Sequence, residues 1–150
     1  SSLADRLATH TGRRVKEGRD TARLDEADIW IAPGGRHLLV ERRDQTTWLR
    51  LSDDEPENSC RPSADVLFRS VAAAFGSRSL AVVLTGLGQD GMLGCRDIRH
   101  GGGQVIVQNQ ATCVAWAMPR AVAEAGLADA ILPLGALADE IQRRCRRSDV

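Results

Sequence analysis

Asp90 is the residue whose neighbours best equip it for chemistry. It stands in Leu84-Thr85-Gly86-Leu87-Gly88-Gln89-Asp90-Gly91, which follows the apolar run Leu80-Ala81-Val82-Val83-Leu84 and leads to Met92, Leu93 and Ile98 at helical spacing. The apolar run reads as a buried parallel strand, and the spacing after the loop reads as one face of a helix. A glycine-rich turn from strand to helix lies at the carboxyl end of the strand, where open α/β sheets hold their active sites. Gly86, Gly88 and Gly91 let the backbone turn sharply and leave the crest open to a ligand. A carboxylate in that turn has two uses. At the crest it would stand where an active site is expected, or it can accept the first amides of the helix that follows.

The same glycines match the dinucleotide spacing G-x-G-x-x-G. Two features argue against that use. Asp90 would place a negative charge beside a pyrophosphate. The next strand, Gln104-Val105-Ile106-Val107, ends in Gln108-Asn109-Gln110, with no carboxylate to hold a ribose.

The other reactive residues form no second constellation. Cys60, Cys95, Cys113 and Cys145 include no C-x-x-C pair, and His10, His37 and His100 complete no metal-ligand pattern. No metal is therefore expected. Cys95 and Cys113 read as small packed groups, with a nucleophilic thiol at Cys113 as the alternative. His10 and His100 read as helix-end surface groups. His37, after Pro33-Gly34-Gly35, reads from its position as a loop residue satisfied by backbone bonds.

The elements that must position these groups are legible. Leu3 and Leu7 mark an opening helix that Gly12 ends. Val15–Glu17 and Asp28–Ala32 read as strands. His37–Glu41 and Thr46–Leu51 read as an antiparallel hairpin through Arg43-Asp44-Gln45. Ser63 caps a helix whose inner face is Leu67, Val71, Ala74 and Phe75, closed by Gly76. Pro119 opens a helix that Gly126 ends. Ala130-Ile131-Leu132 is a last strand, and Leu137, Ile141 and Cys145 face inward on a last helix. Arg143, Arg144, Arg146 and Arg147 crowd its end as a solvated terminus, with a partner-binding role as the alternative. Alternation of strand and helix in the back half predicts an α/β fold: a mostly parallel open sheet with helices on both faces, plus the antiparallel hairpin.

The 150 residues suit a single domain over 1–150. Zero formal net charge argues against a phosphate-driven nucleic-acid binder. No apolar run is long enough to insert in a membrane. The reduced cysteine usage fits a cytoplasmic setting.

Taken in order, the motifs resemble the C-terminal catalytic domain of the CheB-type protein-glutamate methylesterases of bacterial chemotaxis. The resemblance rests on Leu84 to Gly91 (family pattern L-T-G-M-G-x-D-G), Gly101-Gly102-Gly103, Val105-Ile106-Val107, Gln108 to Cys113 and Ala117-Met118-Pro119. Upstream, Ile31 to His37 is similar to the family's A-P-G-x-x-H loop, and Arg61 to Phe68 to its R-P-S-x-D-x-L-F helix start. Leu87 replaces a family methionine and Ala117 a family glycine, neither touching the chemistry directly.

The resemblance implies a hydrolase in signal transduction. It removes methyl esters from chemoreceptor glutamates, deamidates receptor glutamines and uses no cofactor. It implies a Ser-His-Asp triad of which Asp90 is the aspartate, oxyanion support from the Leu87 and Gly88 amides, and substrate contacts from His37 and Met118. Ser1-Ser2-Leu3-Ala4-Asp5-Arg6-Leu7 looks like the family helix that follows the serine and histidine. Both would then precede residue 1, and the domain is expected to be N-terminally incomplete. This chain by itself is expected to hydrolyse no ester and to expose a sheet edge. A receiver domain or histidine-kinase pathway is the implied partner. A binding or regulatory module that kept the fold without catalysis is the alternative function.

Overall fold

In the computed structural model, residues 2–146 are described; Ser1 and Arg147 lie outside them. The chain opens with α1 (Leu3–Thr11), capped by Ser2 and Asp5 in a reciprocal capping box and stopped by Gly12 at φ +67°. Strands β1 (Val15–Glu17) and β2 (Ile29–Ile31) pair in parallel, Lys16 opposite Trp30. The hairpin β3 (His37–Arg43) and β4 (Thr46–Ser52) is antiparallel, with Val40 opposite Leu49 and Arg43 opposite Thr46. It runs slightly further than the alternation predicts, because Asp44 takes φ +56° and closes a two-residue turn. Helix α2 (Ala64–Phe75) crosses to β5 (Leu80–Val83), and the glycine loop leads into α3 (Met92–His100). Then follow β6 (Gln104–Gln108), α4 (Ala117–Glu124), β7 (Ala130–Leu132) and α5 (Leu134–Cys145).

Strands β5, β6 and β7 form a parallel sheet in that order, with Val82 opposite Ile106 and Val107 opposite Ile131. The expected α/β architecture is present: parallel strands, covering helices and one antiparallel hairpin. Among the described residues the parallel strands fall into two separate ladders, so β1, β2, β5 and β7 each have one edge without a strand partner.

The main core lies on one face of this sheet. Ala81, Val83, Val105 and Val107 pack with Cys95 and Ile98 of α3 and Val122 of α4, with Phe68 and Val71 of α2 against them. Ile106 points to the other face and is equally buried. Arg144 of α5 bonds Gln104, which shares the parity of Ile106. A smaller core joins Ala22, Leu38 and Leu49. Helices α2 and α3 touch at Gly94, where a Cβ would stand 2.6 Å from the Phe68 Cβ; only glycine allows that approach.

Two local expectations are corrected. Cys145 is exposed, because it is the last residue of α5, two turns beyond the buried Leu137. Ser63 holds the cap position of α2 but makes no capping bond to its own helix. Its hydroxyl is spent elsewhere.

Candidate active site

The glycine loop is pinned from below. The buried Gln108 accepts the Thr85 amide at 2.8 Å through Oε1 and donates through Nε2 to the Thr112 carbonyl. Thr85 Oγ1 bonds Ala115 in both directions, donating to its carbonyl at 3.0 Å and accepting its amide at 2.9 Å. Gly86 donates to the Ala115 carbonyl, and Met118 donates to the Gly86 carbonyl. This brings Met118 so close that a Cβ at position 86 would lie 2.4 Å from its sulfur. Met118 thus lies between the loop and the main core.

The crest is formed by Leu87, Gly88 and Gln89. Leu87 is 82 % exposed. Gly88 sits at φ +78° with open space around it. Among the described residues, the amides of Leu87 and Gly88 donate to no other group. An open cleft of about 430 Å³ runs from Gly88 and Gln89 to Ala117, Arg120, Ala121 and Glu124 of α4. Arg120 stacks over Trp116, 5.6 Å from the ring centroid, and bonds Glu124 at 2.7 Å.

Asp90 is not at the crest. It folds under the loop, 5 % exposed. Oδ1 accepts from Ser63 Oγ at 2.7 Å, Asn58 Nδ2 at 3.0 Å and the Asp65 amide at 3.2 Å. Oδ2 accepts the Ala64 amide at 2.6 Å. The carboxylate therefore caps a helix, but it is α2, a segment that precedes it by 25 residues, and not α3. A negative charge at that N-terminus is favoured by the α2 dipole and its unpaired amides. Asp65 returns the arrangement: its Oδ1 accepts the amides of Gly91 at 3.0 Å and Gly94 at 2.7 Å, capping α3. Asn58 bridges the two acids, reaching Asp65 Oδ2 at 2.7 Å.

His37 is placed behind this network. Its ring is 1 % exposed. Nδ1 accepts the Ser63 amide at 3.2 Å, and Nε2 meets the Glu55 carbonyl at 2.9 Å. With a donor on one nitrogen and an acceptor on the other, the ring is held as the neutral Nε2-H form. The structure therefore brings Asp90, Leu87, Gly88 and Met118 to one loop system and sets His37 one residue behind it.

Cys95 is fully buried, and burial, with the Asp65 charge adding to it, pushes its thiol up to about 12. Cys113 is half-buried. No group of three His, Cys, Asp or Glu side chains among the described residues is arranged to hold a metal. No helix among the described residues is long and apolar enough to cross a membrane.

Asn58, Ser63, Asp65 and Arg120 do not stand out in the sequence as site residues. For Ser63 and Asp65 a signal was present, since both belong to the Arg61–Phe68 motif.

The chain has relatives in sequence and in fold. A family model described as CheB methylesterase matches residues 1–141. A protein-glutamate methylesterase/protein-glutamine glutaminase of Trichodesmium erythraeum is 51% identical over 142 residues, covering 95% of this chain and 40% of that protein. One of the same description from Azospirillum brasilense is 40% identical over 147 residues, covering 97% of this chain and 37% of its own. The chain thus spans about two fifths of the length of these curated relatives. The crystal structure of the Thermotoga maritima CheB methylesterase catalytic domain superposes with a TM-score of 0.88 at 32% identity, over 94% of this chain and 75% of that one. With the family model covering nearly all of its length, the chain belongs to the CheB methylesterase family.

Proposed function

We propose that this chain forms most of a catalytic domain that hydrolyses glutamyl methyl esters on methylated chemoreceptor-type proteins, and deamidates glutamines on them. The names of its relatives support the reaction class. The observation that carries the reading is the state of Asp90. A triad aspartate must be buried and held by fixed donors, with one acceptor site left for the imidazole N–H. Oδ1 of Asp90 already has three donors, while Oδ2 has one. The free acceptor site is therefore on Oδ2.

In this reading the serine and histidine come from polypeptide before Ser1. The histidine takes the serine proton as Oγ attacks the ester carbonyl, then returns it to the departing methoxide, releasing methanol. Water hydrolyses the glutamyl-serine ester by the same relay. Asp90 keeps the ring in the right tautomer and stabilises its charged form. The unpaired amides of Leu87 and Gly88 supply the oxyanion donors. Met118 and the cleft beside it receive the substrate chain. His37 serves from behind, by fixing Ser63. The site works in the cytoplasm and needs no cofactor, with a receiver domain or histidine-kinase pathway as its regulating partner.

The test is methanol release from a methylated receptor by the intact protein and by its D90N variant. Release by the parent, lost in the variant, supports the reading. A second reading follows from the saturation of Oδ1 by the α2 terminus, which gives Asp90 a purely structural use. A folded intact protein that binds receptor yet releases no methanol would favour that non-catalytic module.

A further inference from the structure

We infer that Asp65, acting through Asn58, is a positioning residue for Asp90 and sets the electrostatic field that the triad imidazole meets; this rests on the triad reading above. Asp65 is fully buried. It is held by three donors: the amides of Gly91 and Gly94 and the side chain of Asn58. The first of these amides belongs to the residue after Asp90, so Asp65 fixes the backbone that carries Asp90 as well as its carboxylate.

Asn58 is the joint. It lies on an exposed loop, in a tight turn where Glu57 and Cys60 exchange backbone bonds at 3.1 and 2.8 Å. Asn58 and Ser59 both adopt left-handed backbone, at φ +54° and +60°. Residues with side chains hold such a conformation only where the surroundings fix it, and they do so often at functional sites. Here it aims one amide nitrogen between two carboxylates.

The charges nearby are few. Glu57 is paired with Arg69, which also approaches Asp97. His37 stands behind Ser63. Asp65 faces Asp90 without a salt bridge of its own among the described residues, although its charge also raises the Arg69 guanidinium. Its charge adds to that of Asp90 at Oδ2 and favours the imidazolium there. The Asn58 dipole opposes it by donating to Oδ1.

The two groups act on the imidazole with opposite sign, which gives the test. In the intact protein, the triad imidazole is titrated by NMR, with kcat and KM measured alongside on a glutamyl methyl ester. Removing the donor in N58A leaves Asp90 less neutralised, and the imidazole midpoint rises by about 0.5 pH units or more. Removing the charge in D65N lowers it; the asparagine oxygen still accepts the Gly91 and Gly94 amides, so the α3 cap survives, while its Nδ2 faces that of Asn58 and only that bond is lost. Both variants lower kcat, with KM held within about twofold. Network residues that only support the fold would lower Tm and leave the midpoint in place, which overturns the inference. Midpoints that move in opposite directions in a protein releasing no methanol would instead defeat the esterase reading and leave the network standing.

Discussion

Asp65 and Asp90 cap each other's helices: Asp90 accepts the first amides of α2, on which Asp65 lies, and Asp65 accepts the first amides of α3, which Asp90 precedes. Each acid satisfies amides that its own segment cannot reach. The exchange locks α2 to α3, which is also where Gly94 lets the two backbones touch. A helix pair joined this way holds the strand-to-helix loop in one conformation.

Loss of Asp90 should therefore cost stability as well as activity. In D90A, four donors lose their acceptor, two of them backbone amides of α2. The expected loss is about 2–4 kcal/mol in urea unfolding of the 150-residue chain. A loss below about 0.5 kcal/mol would mean that water replaces the carboxylate and the cap is unimportant.

His37 distinguishes support from substrate contact. Both ring nitrogens are engaged by backbone groups inside the protein. H37A should lower stability by about 2–3 kcal/mol through the two orphaned bonds and the space left behind, with KM unchanged in the folded intact enzyme. A raised KM at unchanged melting temperature would instead place the ring on the substrate.

Cys95 gives a pH dependence with a definite sign. Its folded-state thiol is raised from 9.0 to about 12 by burial. Below 9 both states keep the proton and the contribution is whole. Above 9 the unfolded chain loses its proton first, so stability falls as pH rises toward about 12, by at most about 1.4 kcal/mol per pH unit. The window is unusually clean, because the sequence has no tyrosine and Lys16 is its only lysine. Denaturant titrations of C95A and parent between pH 8 and 11 should converge as pH rises. Parallel curves would show that Cys95 titrates normally. At pH 8 the thiol should also resist alkylation, while exposed Cys145 reacts.

The unpaired edges of β1, β2, β5 and β7 bear on the 150-residue chain by itself. Ladder groups without partners recruit other chains. Sedimentation of the isolated chain should show self-association that rises with concentration, and no methanol release. A monomer at all concentrations would mean that those edges are shielded, and robust ester hydrolysis would place a complete triad within these residues.

Much of this architecture is written locally. The Leu80–Val83 strand, the glycine loop and the helix at Met92 follow from apolar spacing and glycine placement, and the structure holds each within a residue or two. The hairpin is legible because period-two alternation and a short polar turn act over neighbouring residues. Asp90 stands out for the same reason, as the single acid in a glycine-rich turn. His10 and His100 are surface groups, as their helix-end positions predict.

What the tertiary structure decided is where the long-range polar bonds go. Ser63 has the identity and position of an N-cap, yet its hydroxyl donates to Asp90, and the cap comes from that acid 27 positions later. Propensity describes competition within a few residues of the backbone. It is blind to an acceptor carried by a loop distant in sequence. Packing of α2 against α3 puts that acceptor within 3 Å and excludes the water that would otherwise compete. The same burial hides His37, lowers Asp90 beneath the crest and raises the Cys95 thiol, because all three depend on which surfaces meet and not on which residues are neighbours in sequence.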